Sequence, residues 1–435
     1  MGGHGSGGMQ MSKCLAARIL AAALAMTVCG APCWGAAAWL AEDGGSTMGM
    51  AGAGRAALSL DAAALAANPA ALGELPASTV TAMVMPVDLD FEFRGSDGTP
   101  AHATNHEGVT VVPGLHAVRR DDRLSYGLGV YSYLGLSFDA GNDWSGRRII
   151  EHAGLGTLNI APALSYEVSE RLTLGVSVAA QLARPEARLA VASDAMFYGP
   201  PSGMPDGQLR LSGDSWAAGG QLGLLYHATD AVQIGLAWQA PVDHSVPLDL
   251  QGQGLHPVLS TMLPPDGAAK LEFELPQQLL FGVSHQSRDG TVLAAGLWWQ
   301  DWSSFGDMNL RLAGQATPMF PGGLRDAWGA SVGVRRPLSE KWQVAAGLAY
   351  DSNPAPDAGV PAYFPAAEQW RVAAGAQRTI NEQLRLRLEM SVARQGDAKV
   401  VQTTYPLPLP GIAPLAGTYT DTRVYMVAVA ADFTL

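Results

Sequence analysis

The sequence predicts an all-β protein: a 14-stranded antiparallel transmembrane β-barrel with an N-terminal hatch filling its lumen. Three observations carry that prediction. Short segments alternate apolar and polar residues along the chain, aromatic residues mark the ends of those segments, and the N-terminus is built like an export signal.

The alternation is strict. In 384–392, Leu384, Leu386, Leu388, Met390 and Val392 share one face, and Arg385, Arg387, Glu389 and Ser391 the other. Such period-two patterning is the mark of strands with two unlike faces. Trp342 and Tyr350 bound one apolar face, as do Tyr425 and Phe433. At ~3.3 Å per residue each pair stands about 26 Å apart. An apolar band of that height between aromatic belts is what an outer-membrane barrel presents to lipid, with the polar or small face turned into the lumen.

At the N-terminus, Lys13 and Arg18 precede the apolar run Ile19 to Val28 and then Gly35-Ala36-Ala37-Ala38. A basic stretch, a short apolar core and a small-residue exit make a secretory signal peptide. Residues 1–38 are assigned to it, with 1–10 as an extended start before Met11. The apolar run is too short for the ~20 residues of a helical span. Cys14, Cys29 and Cys33 all lie in this segment. The exported chain therefore excludes a disulfide scaffold, a cysteine zinc site and a cysteine nucleophile. Net charge is −12, charged residues are only 15%, and no basic cluster occurs. Nucleic acid is excluded as a partner, since phosphate contacts need clustered Lys and Arg.

Residues 39–75 form the predicted hatch. The stretch "MGMAGAGRAALSLDAAALAANPAAL" (48–72) carries glycines at 49, 52 and 54, like a phosphate loop. A dinucleotide loop follows a strand and opens a helix inside a βαβ unit. None is predicted here. Small residues instead suit close packing inside a narrow lumen, and Asn68-Pro69-Ala70 stops any helix because the residue before proline leaves α geometry.

Residues 76–435 supply fourteen strands: about 79–93, 108–120, 124–138, 156–169, 172–190, 208–228, 231–250, 269–287, 291–312, 324–338, 342–353, 367–380, 384–402 and 417–435. Every second connection is tiny, as at Ser169-Glu170-Arg171. The others are long: 94–107, 139–155, 191–207, 251–268, 313–323, 354–366 and 403–416. Short periplasmic turns, long external loops and an even strand number are what barrel closure demands.

The strand count, the Gly/Ala segment ending in Asn-Pro-Ala, "LPQQLLFGVSHQ" (275–286), "QDWSSFGDMNLRL" (300–312) and "LRDAWGASVGVRRPLSEKWQVAAGLAYDSNPAPD" (324–357) together resemble one family. It is that of the FadL-type outer-membrane transporters of long-chain fatty acids and other hydrophobic compounds. The resemblance covers the whole mature chain. It implies passive uptake of a long-chain fatty acid or similar hydrophobic molecule, by a monomer embedded in outer-membrane lipid and lipopolysaccharide, with no cofactor. It also implies a hydrophobic landing groove on two external loops. Met196, Phe197, Tyr198 and Met204 lie on one; Leu255, Val258, Leu259, Met262 and Leu263 lie on the other. Apolar side chains on such loops are rare unless they bind something. By the same resemblance Arg188 and Arg311 fall near the family's carboxylate-facing basic residues, although its strand-nine lysine aligns nearer Asn309. Arg335 and Arg371 are lumen rivals. Asn68, Pro69 and Ala70 belong to the hatch or gate. A lateral exit through the third strand falls in "YSYLGLSF" (131–138), where Gly135 can kink the strand.

Catalysis and metal binding find little support. "GDSW" (213–216) has the form of a hydrolase nucleophile motif but lies beside a strand, with no Ser/His/Asp set in order. His102, His106 and Glu107 share one external loop, and there is no His-Glu-x-x-His. No catalytic residue, enzyme activity or metal site is expected. The alternatives are an aromatic-hydrocarbon channel of the same family and, from another class, a general porin or an outer-membrane lipid hydrolase.

Overall fold

The computed structural model describes residues 37–39, 45, 47–76, 78–96, 102–192, 205–403, 407 and 413–435. It is a closed barrel of 14 antiparallel strands. In chain order these are β1 (Ser78–Gly95), β2 (Thr110–Asp121), β3 (Leu124–Tyr131, then Leu134–Asp139), β4 (His152–Ser169) and β5 (Leu172–Val191). They continue as β6 (Gly207–Gly213, Ser215–Thr229), β7 (Val232–Gln239, Val242–Gln253), β8 (Ala269–Leu275, Gln278–Gln286) and β9 (Val292–Gln300, Asn309–Leu312). The last are β10 (Ala327–Pro337), β11 (Trp342–Asp351), β12 (Gln369–Thr379), β13 (Leu384–Gln395, Ala398–Gln402) and β14 (Leu415–Thr434). Each pairs with the next, and β1 closes on β14 through registers such as Val84↔Val429. Closure joins the first strand to the last, which is the condition for a sheet to span a membrane.

The alternating code resolves as an inverted protein. On β13, Leu386, Leu388, Met390 and Val392 are 40–53% exposed, while Arg387, Glu389 and Ser391 between them are under 5%. Apolar outside and polar inside is stable only where the surroundings are lipid. Aromatics ring the outward face at two levels. Trp216, Trp238, Trp299, Trp328 and Trp370 lie toward the long loops; Tyr126, Tyr166, Tyr226 and Trp342 lie toward the short turns. Their amphipathic rings suit the headgroup level.

Two strands depart from the predicted continuity. β9 stops at Gln300, and Trp302–Phe305 form a helical turn whose Asp301 cap accepts from the Ser304 amide. Trp302 and Phe305 drop into the core, so burying two aromatics inside outweighs continuing the ladder. The chain then resumes as a hairpin, Asn309–Leu312 with Gln315–Pro318, reaching into the predicted loop 313–323. β3 breaks at Ser132-Tyr133. Its first half pairs with β2 as far as Leu115↔Val130, but its second half pairs with β4 and with the short strand Ala37–Trp39.

Residues 47–76 lie inside the barrel, most of them buried. They make no long helix: a 3-10 turn at Met48–Met50, a four-residue helix α1 (Ala64–Ala67) and a 3-10 stretch at Pro69–Glu74. Ala51, Gly52 and Gly54 have positive φ. Irregular backbone at membrane depth is tolerated because protein encloses it.

Candidate functional site

The hatch lies against the wall backbone to backbone. A methyl carbon added at Gly347 on β11 would sit 2.1 Å from the Met50 carbonyl, and one at Gly235 on β7 would sit 1.8 Å from the Ala56 oxygen. Neither contact survives a side chain. Carbons added at Gly175, Gly223 and Gly333 would also stand 2.0–2.8 Å from hatch atoms, and those at Gly282, Gly375 and Gly296 3.0–3.4 Å from them, so eight consecutive strands, β5 to β12, each offer a lumen glycine to the hatch. Several are register partners, including Gly175↔Gly223 and Gly333↔Gly347. Alternation alone did not single these glycines out. The signal was present nonetheless, since mid-strand glycine marks close backbone approach.

Asn68, Pro69 and Ala70 are fully or almost fully buried where the hatch leaves this seat. The Asn68 side-chain nitrogen donates to the Ala56 oxygen at 2.6 Å and to the Leu224 oxygen at 3.1 Å, and its oxygen accepts from the Ala70 amide at 2.9 Å. One side chain thus ties two ends of the hatch to β6 and caps the turn that Pro69 begins. A second tie is ionic. Asp61 of the hatch meets Arg387 of β13, which also contacts Asp432 at 3.0 Å and Glu389 at 3.3 Å. Thr81 of β1 extends the knot, donating to Asp432 and accepting from the Ala62 amide.

On the side of the long loops lies an apolar cavity of ≈160 Å³. Leu155, Leu248, Leu271, Phe305, Phe320 and Phe364 are among its walls. The inward turn after β9 brings Phe305 here, and its ring packs at a tilt against Phe320 and Phe364 with centroids 5.7 and 5.8 Å away. The Tyr363 hydroxyl donates to the Met319 oxygen, and burial pushes this phenol's pKa up. Two charged residues line the cavity, and both are paired: Arg148 with Asp206 at 2.8 Å and Glu186 with Arg210 at 2.6 Å. The Arg148 hydrogen bond, with Arg147 adding to it, holds the Asp206 carboxyl below the usual aspartate range.

The predicted binding residues divide. Met196, Phe197, Tyr198 and Met204 lie outside the described residues. On the other loop, His256 caps a short helix α2 (Pro257–Met262), Leu259 is buried, and Leu263 packs against the core. Val258 points outward at 43% exposure. Arg188 bonds Asp139 at 2.7 Å and lies 3.4 Å from Glu151. Arg311 is exposed and bonds Glu272 across the register Lys270↔Arg311, away from the cavity lining. Arg371 bonds Asp351, and Arg335 bonds Gln343 and Gln377. Gly135 sits inside the second half of β3, paired with Gly156; the interruption falls at Ser132-Tyr133, just before it. There the Ser132 hydroxyl donates to the Leu134 oxygen at 3.2 Å, holding the bend.

The motifs set aside also acquire places. Ser215 of the "GDSW" stretch lies 2.8 Å from His244 Nδ1, while His244 Nε2 meets Gln181 at 3.0 Å. Gln181 in turn donates to Tyr133 at 2.7 Å and to Asn159 at 2.8 Å, so a polar chain links neighbouring strands from β3 to β7. His102 bonds Glu92, and Glu107 turns instead to His152 at 3.0 Å.

Residues 26–434 match the family model described as outer membrane protein transport protein (OMPP1/FadL/TodX). A long-chain fatty acid transport protein of Escherichia coli O6:H1 is 24% identical over 364 residues, covering 77% of this chain and 82% of that protein. Outer membrane protein P1 of Haemophilus influenzae is 24% identical over 377 residues, with 77% and 80% covered. Among solved structures, a Pseudomonas aeruginosa FadL homologue superposes with a TM-score of 0.77 at 20% identity, covering 89% of this chain and 97% of that one. The Pseudomonas putida toluene transporter TodX gives 0.67 at 20% identity, with 93% and 99% covered. The closed barrel, the N-terminal segment lodged inside it and the match along nearly the whole chain agree: this protein belongs to the OMPP1/FadL/TodX family of outer membrane transport proteins.

Proposed function

We propose that the chain takes up small hydrophobic molecules across the outer membrane, without an energy source, and acts as a monomer embedded in lipid and lipopolysaccharide. The apolar cavity above a seated hatch is the observation that carries this reading. Its volume of ≈160 Å³ is close to the roughly 150 Å³ of an engineered apolar cavity known to hold benzene. The ligand lands on the loops around Leu259, Met262 and Leu263 and those carrying Met196, Phe197 and Tyr198. It then enters the cavity and leaves when the hatch segment Asn68-Pro69-Ala70 shifts, passing sideways at the interrupted third strand near Gly135.

The cavity favours a neutral, aromatic-sized ligand over a fatty acid. Its lining cation Arg148 is paired with Asp206, and Arg188 nearby is held by Asp139 and Glu151. A fatty-acid carboxylate has to displace one of these acids, and exchanging one charge-assisted bond for another gains little. The curated relatives named as long-chain fatty acid transporters support the second reading, in which Arg188 turns to the ligand and Arg311 assists.

The test is binding of toluene and of oleate to the detergent-solubilised barrel, with uptake of each in cells carrying wild-type protein or one lacking Asn68 to Ala70. Saturable toluene binding that is indifferent to Arg188→Ala, together with altered uptake in the deletion, is expected. Oleate binding that falls tenfold or more in Arg188→Ala favours the fatty-acid reading. Unaltered uptake of both compounds in the deletion removes the hatch from the path.

A further inference from the structure

Above the break in β3, three segments distant in sequence meet. Asp139 ends β3 and His152 begins β4, and the two are register partners. Glu107 arrives from the loop after β1. Asn105 places it: its side-chain oxygen accepts from the amides of both Glu107 (3.2 Å) and Asp139 (3.0 Å), while its nitrogen donates to the Leu89 oxygen at 2.6 Å. One oxygen or nitrogen from each of Glu107, Asp139 and His152 lies within 4.8 Å of the others. Two further facts point to a missing cation. The acids outnumber the basic groups: Asp139 and the almost fully buried Glu151 share Arg188, and Glu107 faces the His152 ring. Half-buried anionic charge calls for compensation. In addition, the Ser137 hydroxyl is fully buried and faces Glu107 without closing a hydrogen bond at ordinary distance.

We propose that Glu107, Asp139 and His152 bind a divalent transition-metal ion of the zinc type. One imidazole nitrogen and two carboxylate oxygens are a donor set such ions accept, leaving a fourth position to water. Hard ions such as magnesium and calcium take oxygen ligands, so the imidazole selects against them. The ligand atoms are one ring nitrogen of His152 and one carboxylate oxygen each from Glu107 and Asp139. Binding replaces the Glu107–His152 contact and leaves Arg188 to Glu151. The bound ion clamps the loop after β1 and the second half of β3 to β4, beside the place where the wall is interrupted. The site is independent of what passes through the lumen.

The test uses the folded barrel in detergent, freed of metal by chelator, and titrated with Zn2+ by calorimetry and with Co2+ by visible absorption. About one equivalent of Zn2+ is expected, a rise in unfolding temperature on binding, and Co2+ absorption bands typical of nitrogen and oxygen ligands. Glu107→Gln and His152→Gln each lose tenfold or more in affinity, with unchanged heat-modifiable migration showing that the barrel is intact. His102→Gln, in the same loop but bonded to Glu92, keeps the affinity of wild type. If Glu107→Gln misfolds, Asp139→Asn serves in its place. Binding of less than about a tenth of an equivalent, equal affinity in the ligand variants, or Mg2+ bound as tightly as Zn2+ overturns the assignment.

Discussion

Asp61 and Arg387 meet at 2.5 Å with neither side chain more than 2% exposed, one carried by the hatch and the other by the wall. The pair joins the hatch to β13 and sits within a knot of like-buried acids. Removing one partner of a buried pair typically costs about 3–5 kcal/mol. Asp432 and Glu389 still face Arg387, so Asp61→Asn is expected at or below the lower end. The loss should fall on the hatch: faster amide exchange over residues 55–65 with protection of β13 retained. Exchange unchanged in the hatch counts against the latch.

Gly347→Ala adds a carbon where the Met50 backbone stands. Overpacking costs about 1–3 kcal/mol, and here the hatch is the part able to yield. The barrel should fold and stay heat-modifiable, while Met50 gains exchange and single-channel conductance rises. A silent variant would mean that the seat is looser than the contact distances imply.

Ala187→Phe fills the apolar cavity from β5. A ring there competes for the volume any ligand needs. Affinity for toluene should fall by tenfold or more with thermal stability equal to wild type or higher. Full retention of binding would place the ligand elsewhere.

Acid should loosen the cavity mouth at Asp206. Its carboxyl, hydrogen-bonded first by Arg148 and then by Arg147, titrates below the ordinary 3.8. A carboxyl whose folded pKa is depressed contributes stability above its unfolded pKa and loses it as pH falls through the folded one. The contribution is at most about 1 kcal/mol, because the arginines are a third exposed. Proteolysis near residue 206 should differ between wild type and Asp206→Asn at neutral pH and converge below about pH 3.8. A constant difference across that range excludes the ion pair as its source.

The strands were legible because lipid enforces a strict code: from Leu384 to Val392 every second residue is apolar, and the intervening ones had no need to be. The break at Ser132-Tyr133 was harder to place. Gly135 is the more flexible residue, but the bend is held by hydrogen bonds of Ser132, which a residue-by-residue flexibility argument does not weigh. The candidate arginines were named through the family resemblance, by their places near the outer ends of their strands. Arg188 proved to be bound by acids from two other segments, and Arg311 to face outward beyond the cavity. Pairings between segments that are distant in sequence, such as Asp61 with Arg387 or Glu107 with His152, leave no periodic trace at all.

The eight lumen glycines have an implication for how this barrel can change. The position of the hatch is recorded twice, once in its own residues and once as missing carbons spread over eight strands. A hatch moved from a relative into this wall would meet a groove cut to another outline, while a single added methyl at many different points would have the same result. Leaky pores should therefore be easy to reach by random substitution, and a second hatch position hard to invent.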